Sequence, residues 1–425
     1  MIYQKVKGTQ DFYNEEMLKM RYVEKVTLDL AKKFGFSEIK TPIFENTEVF
    51  TRLGDESDVV KKEMYTFLDK GNRSITLRPE GTAAVARSFI ENKIYANNLP
   101  LTKFCYFGPM FRHERPQAGR FREFHQFGVE VYGEGTPLLD ADVIISAYNI
   151  FKKLGIKNIK LKINSIGDFS SRQNYSKVLS EYFKDNISSM CSDCNRRLEK
   201  NPMRILDCKV DKHNHVLLNA PKISDYLNEE SKTYFNKVLE VLDSFEIPYE
   251  VDTNLVRGLD YYTDTVFEYI INSNDDLNGL AICAGGKYAG LVKEMSGLDI
   301  PGIGYAFGVE RIMAIMDKQG LFKDIAIKTD VQIIALDDKS KLHSLKLVNE
   351  LRLNGYVSEI DYKNITMKQQ FKLADKINPC FIIIIGEEEL NSGKVTIKNT
   401  MTKSQETINE KDLLVYLKEK TNENA

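Results

Sequence analysis

The sequence predicts an α+β protein: an antiparallel sheet flanked by helices, interrupted by a helical insertion and followed by a separate C-terminal α/β domain. Three observations lead there. Strand-like segments at 73–77, 103–107 and 126–132 follow one another without regular crossover helices, which favours antiparallel pairing over a doubly wound parallel sheet. The stretch from about 168 to 250 turns helical and breaks the run of strands. After Lys328 the rhythm changes to strand, helix, strand, helix, strand, as a small independent α/β domain would show.

Each element has its own reason. Met17, Met20, Val23, Val26, Leu30 and Phe34 recur three or four residues apart, which predicts an amphipathic helix over 15–34 that stops at Gly35. The chain to Phe44 then reads as extended. In 126–132, Val129 and Val131 fall on one face at the strand period of two. Helical stretches at 175–183 and 230–245 mark the insertion, after which strands resume at 256–271, 280–284 and 302–307. A helix over 310–318 turns Ile312, Met313 and Met316 inward. The last domain reads as strands at 331–336, 357–360 and 381–385 and helices at 342–353, 367–377 and 411–420. The division expected is therefore 1–327, with its insertion, and 328–425.

Composition narrows the function classes. A hydrophobic share of 42% with 28% charged residues fits a globular chain and excludes a disordered or fibrous one. Fifty-nine basic side chains nearly cancel sixty-one acidic ones, so any nucleic-acid contact must be local and cannot come from a global positive field. Residues 1–12 lack the apolar stretch of a secretory signal, and the longest purely apolar run, 380–385, is too short to cross a bilayer. Six unevenly spaced cysteines read as reduced thiols, so a cytoplasmic protein with no membrane partner is expected.

The densest chemistry lies between Phe107 and Glu130. Arg112, Arg115, Arg120 and Arg122 alternate with Phe111, Phe121 and Phe124 in a strand–loop–strand hairpin. A guanidinium is permanently charged and can grip a phosphate through two parallel bonds, and an aromatic ring offers adenine a stacking face. From composition alone, a solvated basic hairpin fits as well. A second element, Gly302-Ile303-Gly304-Tyr305-Ala306-Phe307-Gly308-Val309-Glu310-Arg311, places Arg311 in the first turn of a helix. A phosphate is favoured there by backbone amides as well as by the guanidinium; the glycines by themselves are commonly only a turn.

The hairpin with Phe111-Arg112-His113-Glu114 resembles motif 2 of the class II aminoacyl-tRNA synthetases, 302–312 resembles their motif 3, and Thr41-Pro42-Ile43-Phe44-Glu45 resembles motif 1. Leu255-Val256-Arg257-Gly258-Leu259-Asp260-Tyr261-Tyr262 and Ala284-Gly285-Gly286-Lys287-Tyr288-Ala289-Gly290 are similar to two histidine-specific signatures of the histidyl-tRNA synthetases. The second departs from the usual Gly-Gly-Arg-Tyr-Asp-Gly at Lys287 and Ala289, and lysine keeps the charge but loses the planar fork.

That resemblance implies a histidine–tRNA ligase using ATP with magnesium, acting on L-histidine and tRNA(His), dimeric through motif 1, with a C-terminal anticodon-binding domain. It implies that Arg112 meets the α-phosphate and that Arg257 lies over the reacting carboxylate and α-phosphate, these two being the catalytic pair; a structural strand arginine is the other reading of Arg257. Glu114 would lie near the adenine, Arg120 toward the γ-phosphate and Phe124 against the base, with Arg311 completing the ATP site. Arg115 and Gln117 on the hairpin loop would reach the tRNA acceptor stem. Glu80, with Gly81 and Thr82, would take the α-ammonium of histidine, a solvated loop carboxylate being the alternative for Glu80. Gln126 and Glu130, four apart on one strand and so on one face, are candidates for the ammonium and imidazole. Tyr261 and Tyr262 would point to opposite faces of a strand, so that only one reaches the imidazole.

Two further readings stand beside this one. Cys191, Cys194, Cys208, His213 and His215 offer zinc ligands within the insertion, but the family is not generally zinc-dependent and Cys208 belongs to no ligand pair, so reduced thiols and no metal are expected. A synthetase-like regulatory subunit of ATP phosphoribosyltransferase is the rival function. Such paralogues lack the anticodon domain and the catalytic arginines, whereas Arg112, Arg257, Arg311 and a C-terminal domain are all present here. The Arg-Gly-Leu-Asp-Tyr-Tyr run also argues against a prolyl or threonyl enzyme of the same class.

Overall fold

The computed structural model describes residues 3–51, 62–97, 99–114, 120–208, 210–256, 261–323, 325–363 and 365–422. It divides into two compact units, Met1–Ile325 and Ala326–Ala425.

The first unit is organised by an eight-stranded sheet. Its strands run in the spatial order Ser37–Glu38, Leu101–Phe111, Glu123–Gly133, Gly302–Gly308, Ala281–Tyr288, Thr263–Ile271, Ile159–Ser165 and Tyr249–Val251. The six central strands pair antiparallel, and each edge strand pairs parallel with its neighbour. The strand Ser74–Leu77 is not part of it. It forms a separate small sheet, flanked by Phe44–Asn46 and Tyr65–Leu68.

Helices cover one face of the large sheet. Asn14–Lys33 buries Met20, Val23 and Ala31, carries Glu15 and Glu16 in its first turn and Lys32 and Lys33 in its last, and ends where Gly35 adopts φ +81°. The helix Pro137–Lys153, which the sequence reading passed over, starts at a Thr136 cap whose side chain accepts from the Leu139 N–H. It buries residues on nearly every side, Leu139, Val143, Ile144, Ile145 and Phe151 among them, and so shows no clean amphipathic stripe to read. Val309–Lys318 buries Ile312, Met313 and Met316 as expected.

The insertion is narrower than 168–250. Phe169–Lys184 and Ser192–Lys200, with the short turns after them, share a core containing Tyr175, Leu179, Phe183, Met190, Ile205 and Val216. The helix Glu229–Ser244 instead packs on Pro137–Lys153 with Phe235, Val238 and Leu242 in the main core, and Tyr249–Val251 extends the large sheet. Helical periodicity alone does not say which core a helix joins.

The second unit is a five-stranded sheet in the order Ser358–Ile360, Val331–Ala335, Phe381–Ile385, Lys394–Asn399 and Gln405–Asn409. The first three strands are parallel and the last two add antiparallel. Asp338–Leu353 and Leu413–Asn422 cover one face through Leu347, Val348, Leu351, Leu413 and Leu417, while Ala374 of Met367–Ile377 packs on Ile334 and Ile382 of the other. No helix among the described residues is long and apolar enough to cross a membrane.

Candidate active site

The central strands of the first unit open into a cleft of about 310 Å³. Its closed end is built around Glu130 on the strand Glu123–Gly133. The carboxylate is only 1% exposed and accepts from Thr82 Oγ1 at 2.6 Å, from Tyr106 OH at 3.4 Å and from Tyr288 OH. Glu80 is also buried, its two oxygens accepting from the backbone N–H groups of Thr82 and Ala83 at 2.7 and 2.9 Å, so that it caps the helix Thr82–Glu91. Burial raises both carboxyls. For Glu130 the hydroxyls of Thr82 and Tyr288 oppose the effect and the charge of Glu80 adds to it, leaving it at about 8. Gln126, four residues away on the same strand, is buried, and its Oε1 has no partner among the described residues. Two buried carboxyls and an amide oxygen therefore line one end of the cleft, a set of acceptors that favours a ligand carrying N–H donors.

Glycines make room for this end. A Cβ on Gly304, which faces Glu130 across the sheet, would meet Glu130 Oε2 at 2.2 Å. A Cβ on Gly81 or Gly128 would meet the Tyr106 ring at 2.2 and 2.3 Å, so Tyr106 threads between them to bring its hydroxyl to Glu130. Gly81 thus serves the pocket by its lack of a side chain. Tyr106, Tyr288, Gly128 and Gly304 are not singled out by sequence, although Tyr288, Gly128 and Gly304 stand within the recognised motifs.

The open end is cationic. Arg112 donates from Nε to the Pro79 carbonyl at 2.7 Å, and its guanidinium carbon stands 5.4 Å from the centroid of the Phe124 ring. Glu114 pairs with Arg120 at 3.1 Å. Arg311 donates to the Ala281 carbonyl at 2.7 Å from the first turn of Val309–Lys318. Burial first, and then the like charge of Arg120, hold the Arg311 guanidinium below its ordinary value. Two arginines close enough to repel favour a polyanion between them. The neighbouring Glu310 accepts from the His125 backbone N–H at 2.8 and 3.0 Å and meets His125 Nδ1 at 2.9 Å, locking this helix to the arginine hairpin.

Of the residues the sequence singled out, Glu80, Thr82, Arg112, Glu114, Arg120, Phe124, Gln126, Glu130, Tyr261, Tyr262 and Arg311 all line this one cleft. Arg257, Arg115 and Gln117 lie outside the described residues. The expectation for the tyrosine pair is corrected. Tyr261 and Tyr262 precede the strand Thr263–Ile271 instead of lying in it, and both are buried against the cleft with ring centroids 4.7 Å apart, so strand alternation does not separate them. Lys287, the departure from the signature, faces away: its Nζ meets Asp264 Oδ2 at 3.2 Å and stands 4.0 Å from the centroid of the Tyr234 ring, while its neighbour Tyr288 turns into the cleft.

Comparison with known proteins agrees with this geometry. Residues 8–312 match the family model for histidyl-tRNA synthetase and residues 330–420 that for an anticodon binding domain. The chain is 46% identical over 421 residues to the histidine–tRNA ligase of Geobacillus sp. (strain WCH70), covering 99% of this chain and 100% of that one. It is 47% identical over 414 residues to that of Staphylococcus aureus (strain JH9), covering 97% and 99%. The crystal structure of apo S. aureus histidyl-tRNA synthetase superposes with a TM-score of 0.84 at 42% identity, covering 98% of this chain and 100% of that one. The chain belongs to the histidyl-tRNA synthetase family.

Proposed function

We propose that this protein is a histidine–tRNA ligase that converts L-histidine and ATP to histidyl-adenylate and pyrophosphate, then passes the histidyl group to the 3′ end of tRNA(His). Full-length identity of 46–47% to histidine–tRNA ligases favours this activity over a regulatory subunit of ATP phosphoribosyltransferase. The observation that carries the site assignment is the sorting of charge along one cleft, buried carboxyls at the closed end and arginines at the open end.

In this reading the histidine ammonium and imidazole enter the closed end against Glu80, Gln126, Glu130 and one of the tyrosines. The histidine carboxylate then faces Arg112 at the junction of the two ends. ATP lies along the open end, its adenine against Phe124 and Glu114 and its outer phosphates near Arg120 and Arg311. The carboxylate oxygen attacks the α-phosphorus in line, the bond to the bridging oxygen breaks, and pyrophosphate leaves. No side chain need act as nucleophile: positioning and neutralisation of the charge that builds on phosphorus do the work, through Arg112 and, by its place in the signature, Arg257. Glu114 and Glu268 put hard carboxylate oxygens on the cleft wall that would hold a magnesium ion accompanying ATP, and such an ion would neutralise phosphate charge. The terminal ribose hydroxyl of tRNA next attacks the adenylate carbonyl and releases AMP, with Arg115 and Gln117 assigned to the acceptor stem and the second unit to the anticodon. Exposed Ile43, Phe44, Phe67 and Leu68 on and beside the small sheet supply an apolar surface for a homodimer contact.

The test is ATP–pyrophosphate exchange by purified protein with magnesium and each of the twenty amino acids in turn. Exchange with histidine alone is expected. Exchange with none would overturn the assignment and make binding to ATP phosphoribosyltransferase the next measurement.

A further inference from the structure

The insertion holds a side-chain cluster that the ligase reaction does not use. Cys191 caps the helix Ser192–Lys200, Cys194 sits in its first turn, and Cys208 and Asp211 follow the short turn Pro202–Ile205. One ligand atom from each of the four lies within 4.8 Å of the others. Cys191 Sγ and Cys208 Sγ are 3.6 Å apart, and Cys208 Sγ is 3.4 Å from Asp211 Oδ2.

Those separations identify the chemistry. Zinc bonds of about 2.3 Å to sulfur and about 2.0 Å to oxygen, arranged tetrahedrally, need S···S edges of roughly 3.8 Å and S···O edges of roughly 3.5 Å. A disulfide would need its sulfurs at about 2.05 Å. Two edges of the cluster, Cys191 to Cys208 and Cys208 to Asp211, already have the tetrahedron's lengths, and the others are no longer than 4.8 Å. The backbone holds it in that form: the Cys191 N–H donates to Asp211 Oδ2 at 3.0 Å and the Asp211 N–H donates to Cys208 Sγ at 3.4 Å. Cys194 and Cys208 are buried and the other two half-buried, the enclosure of a structural site with no open position for substrate. His213 and His215, the ligands that sequence spacing offered, are exposed and outside the group; the fourth ligand is Asp211, which completes a Cys-x-x-Asp pair that a search for cysteine and histidine pairs overlooks.

We propose that Cys191, Cys194, Cys208 and Asp211 bind one structural zinc ion, where the sequence alone favours reduced thiols and no metal. The ion clips the start of Ser192–Lys200 to the turn after Pro202–Ile205, in a part of the insertion where the regular elements are only three to nine residues long. Such pieces bury little and gain from a metal crosslink. The clip also bears on the pocket, because the insertion core is continuous with Tyr106, Tyr261, Tyr262 and Tyr288, and Arg172 of Phe169–Lys184 donates to the Tyr262 carbonyl at 2.7 Å.

The experiment uses the full-length protein, purified without chelator or metal-affinity resin, and measures bound metal by mass spectrometry. Wild type and a Cys380→Ser control are expected to carry one zinc per chain and Cys208→Ser none. Should Cys208→Ser fail to fold, wild type stripped of metal and titrated with Co²⁺ decides the question: absorption bands of tetrahedral cobalt–thiolate saturating at one equivalent support the site, and Asp211→Asn should weaken Co²⁺ binding by at least about tenfold. The proposal is overturned if folded wild type carries no zinc and shows no cobalt–thiolate bands, whether its three thiols prove free or Cys191 and Cys208 prove joined in a disulfide. None of these readouts depends on aminoacylation, so failure here leaves the ligase assignment standing.

Discussion

The closed and open ends of the cleft hold opposite charge at different depths. Glu80 and Glu130 are almost wholly buried, and among the described residues the hydrogen-bond partners of Glu130 are neutral hydroxyls, whereas Arg112 and Arg120 keep 23% and 38% of their side chains exposed. In the function proposed above, burial would divide the labour. A small ligand that must be told from other amino acids would be read in a dry pocket, where an unmatched polar group is costly. A highly charged nucleotide would be met by arginines that are only partly buried.

Breaking the open end should have the largest effect. Arg112→Ala is expected to lower histidine-dependent pyrophosphate exchange about 10³-fold, and Arg112→Lys should recover little because an ammonium lacks the planar fork. A loss under about tenfold, ~1.4 kcal/mol, would remove Arg112 from the reacting phosphate.

Glu130→Gln breaks the closed end. It keeps the shape but replaces a carboxyl that can give up its proton to meet an ammonium with an amide that cannot, so KM for histidine should rise about 30- to 100-fold while KM for ATP barely moves; equal changes in both would dissolve the distinction between the ends. The same variant sharpens it through stability. The Glu130 carboxyl lies at about 8 in the folded protein against 4.5 ordinarily, so between those values the folded state keeps a proton that the unfolded state has released. Its contribution is fully present below pH 4.5 and is lost as pH rises toward 8. Urea unfolding of the ligand-free protein at pH 6, 7 and 8 should show stability falling by up to about 1.4 kcal/mol per pH unit from this group, and Glu130→Gln should flatten that slope. An identical slope in the variant would mean that Glu130 is already ionised.

The smallest effect is expected behind the pocket. Lys287 pairs with Asp264 away from the cleft, so Lys287→Arg should leave exchange within about twofold, ~0.5 kcal/mol, of wild type. A marked change in KM for histidine would show that this position reaches the substrate through the strand it shares with Tyr288.

Which parts were legible follows from the range of the signal. The arginine hairpin, the Gly-rich turn before Arg311 and the Glu80 loop are contiguous runs whose residue types announce phosphate and ammonium chemistry, and Arg112, Arg120, Arg311 and Glu80 line one cleft. Amphipathic helices such as Asn14–Lys33 show their period within the chain. Pro137–Lys153 does not, being buried nearly all round. The antiparallel pair Lys394–Asn399 and Gln405–Asn409 was also passed over: Val395 and Ile397 alternate with polar residues in the first strand, but the second carries a single apolar side chain, Ile408.

The sequence by itself determined the family, the α+β class and the identity of most groups in the cleft, because these reside in local runs and in the chemistry of single side chains. Only the tertiary structure decided that Tyr106 passes between Gly81 and Gly128 to reach Glu130, that Tyr261 and Tyr262 share one wall, that Lys287 faces away from the cleft, and that Asp211 joins three cysteines. Each of these is a contact between segments far apart in the chain or a direction taken by a side chain where a regular element begins or ends. Those are set by packing and not by periodicity.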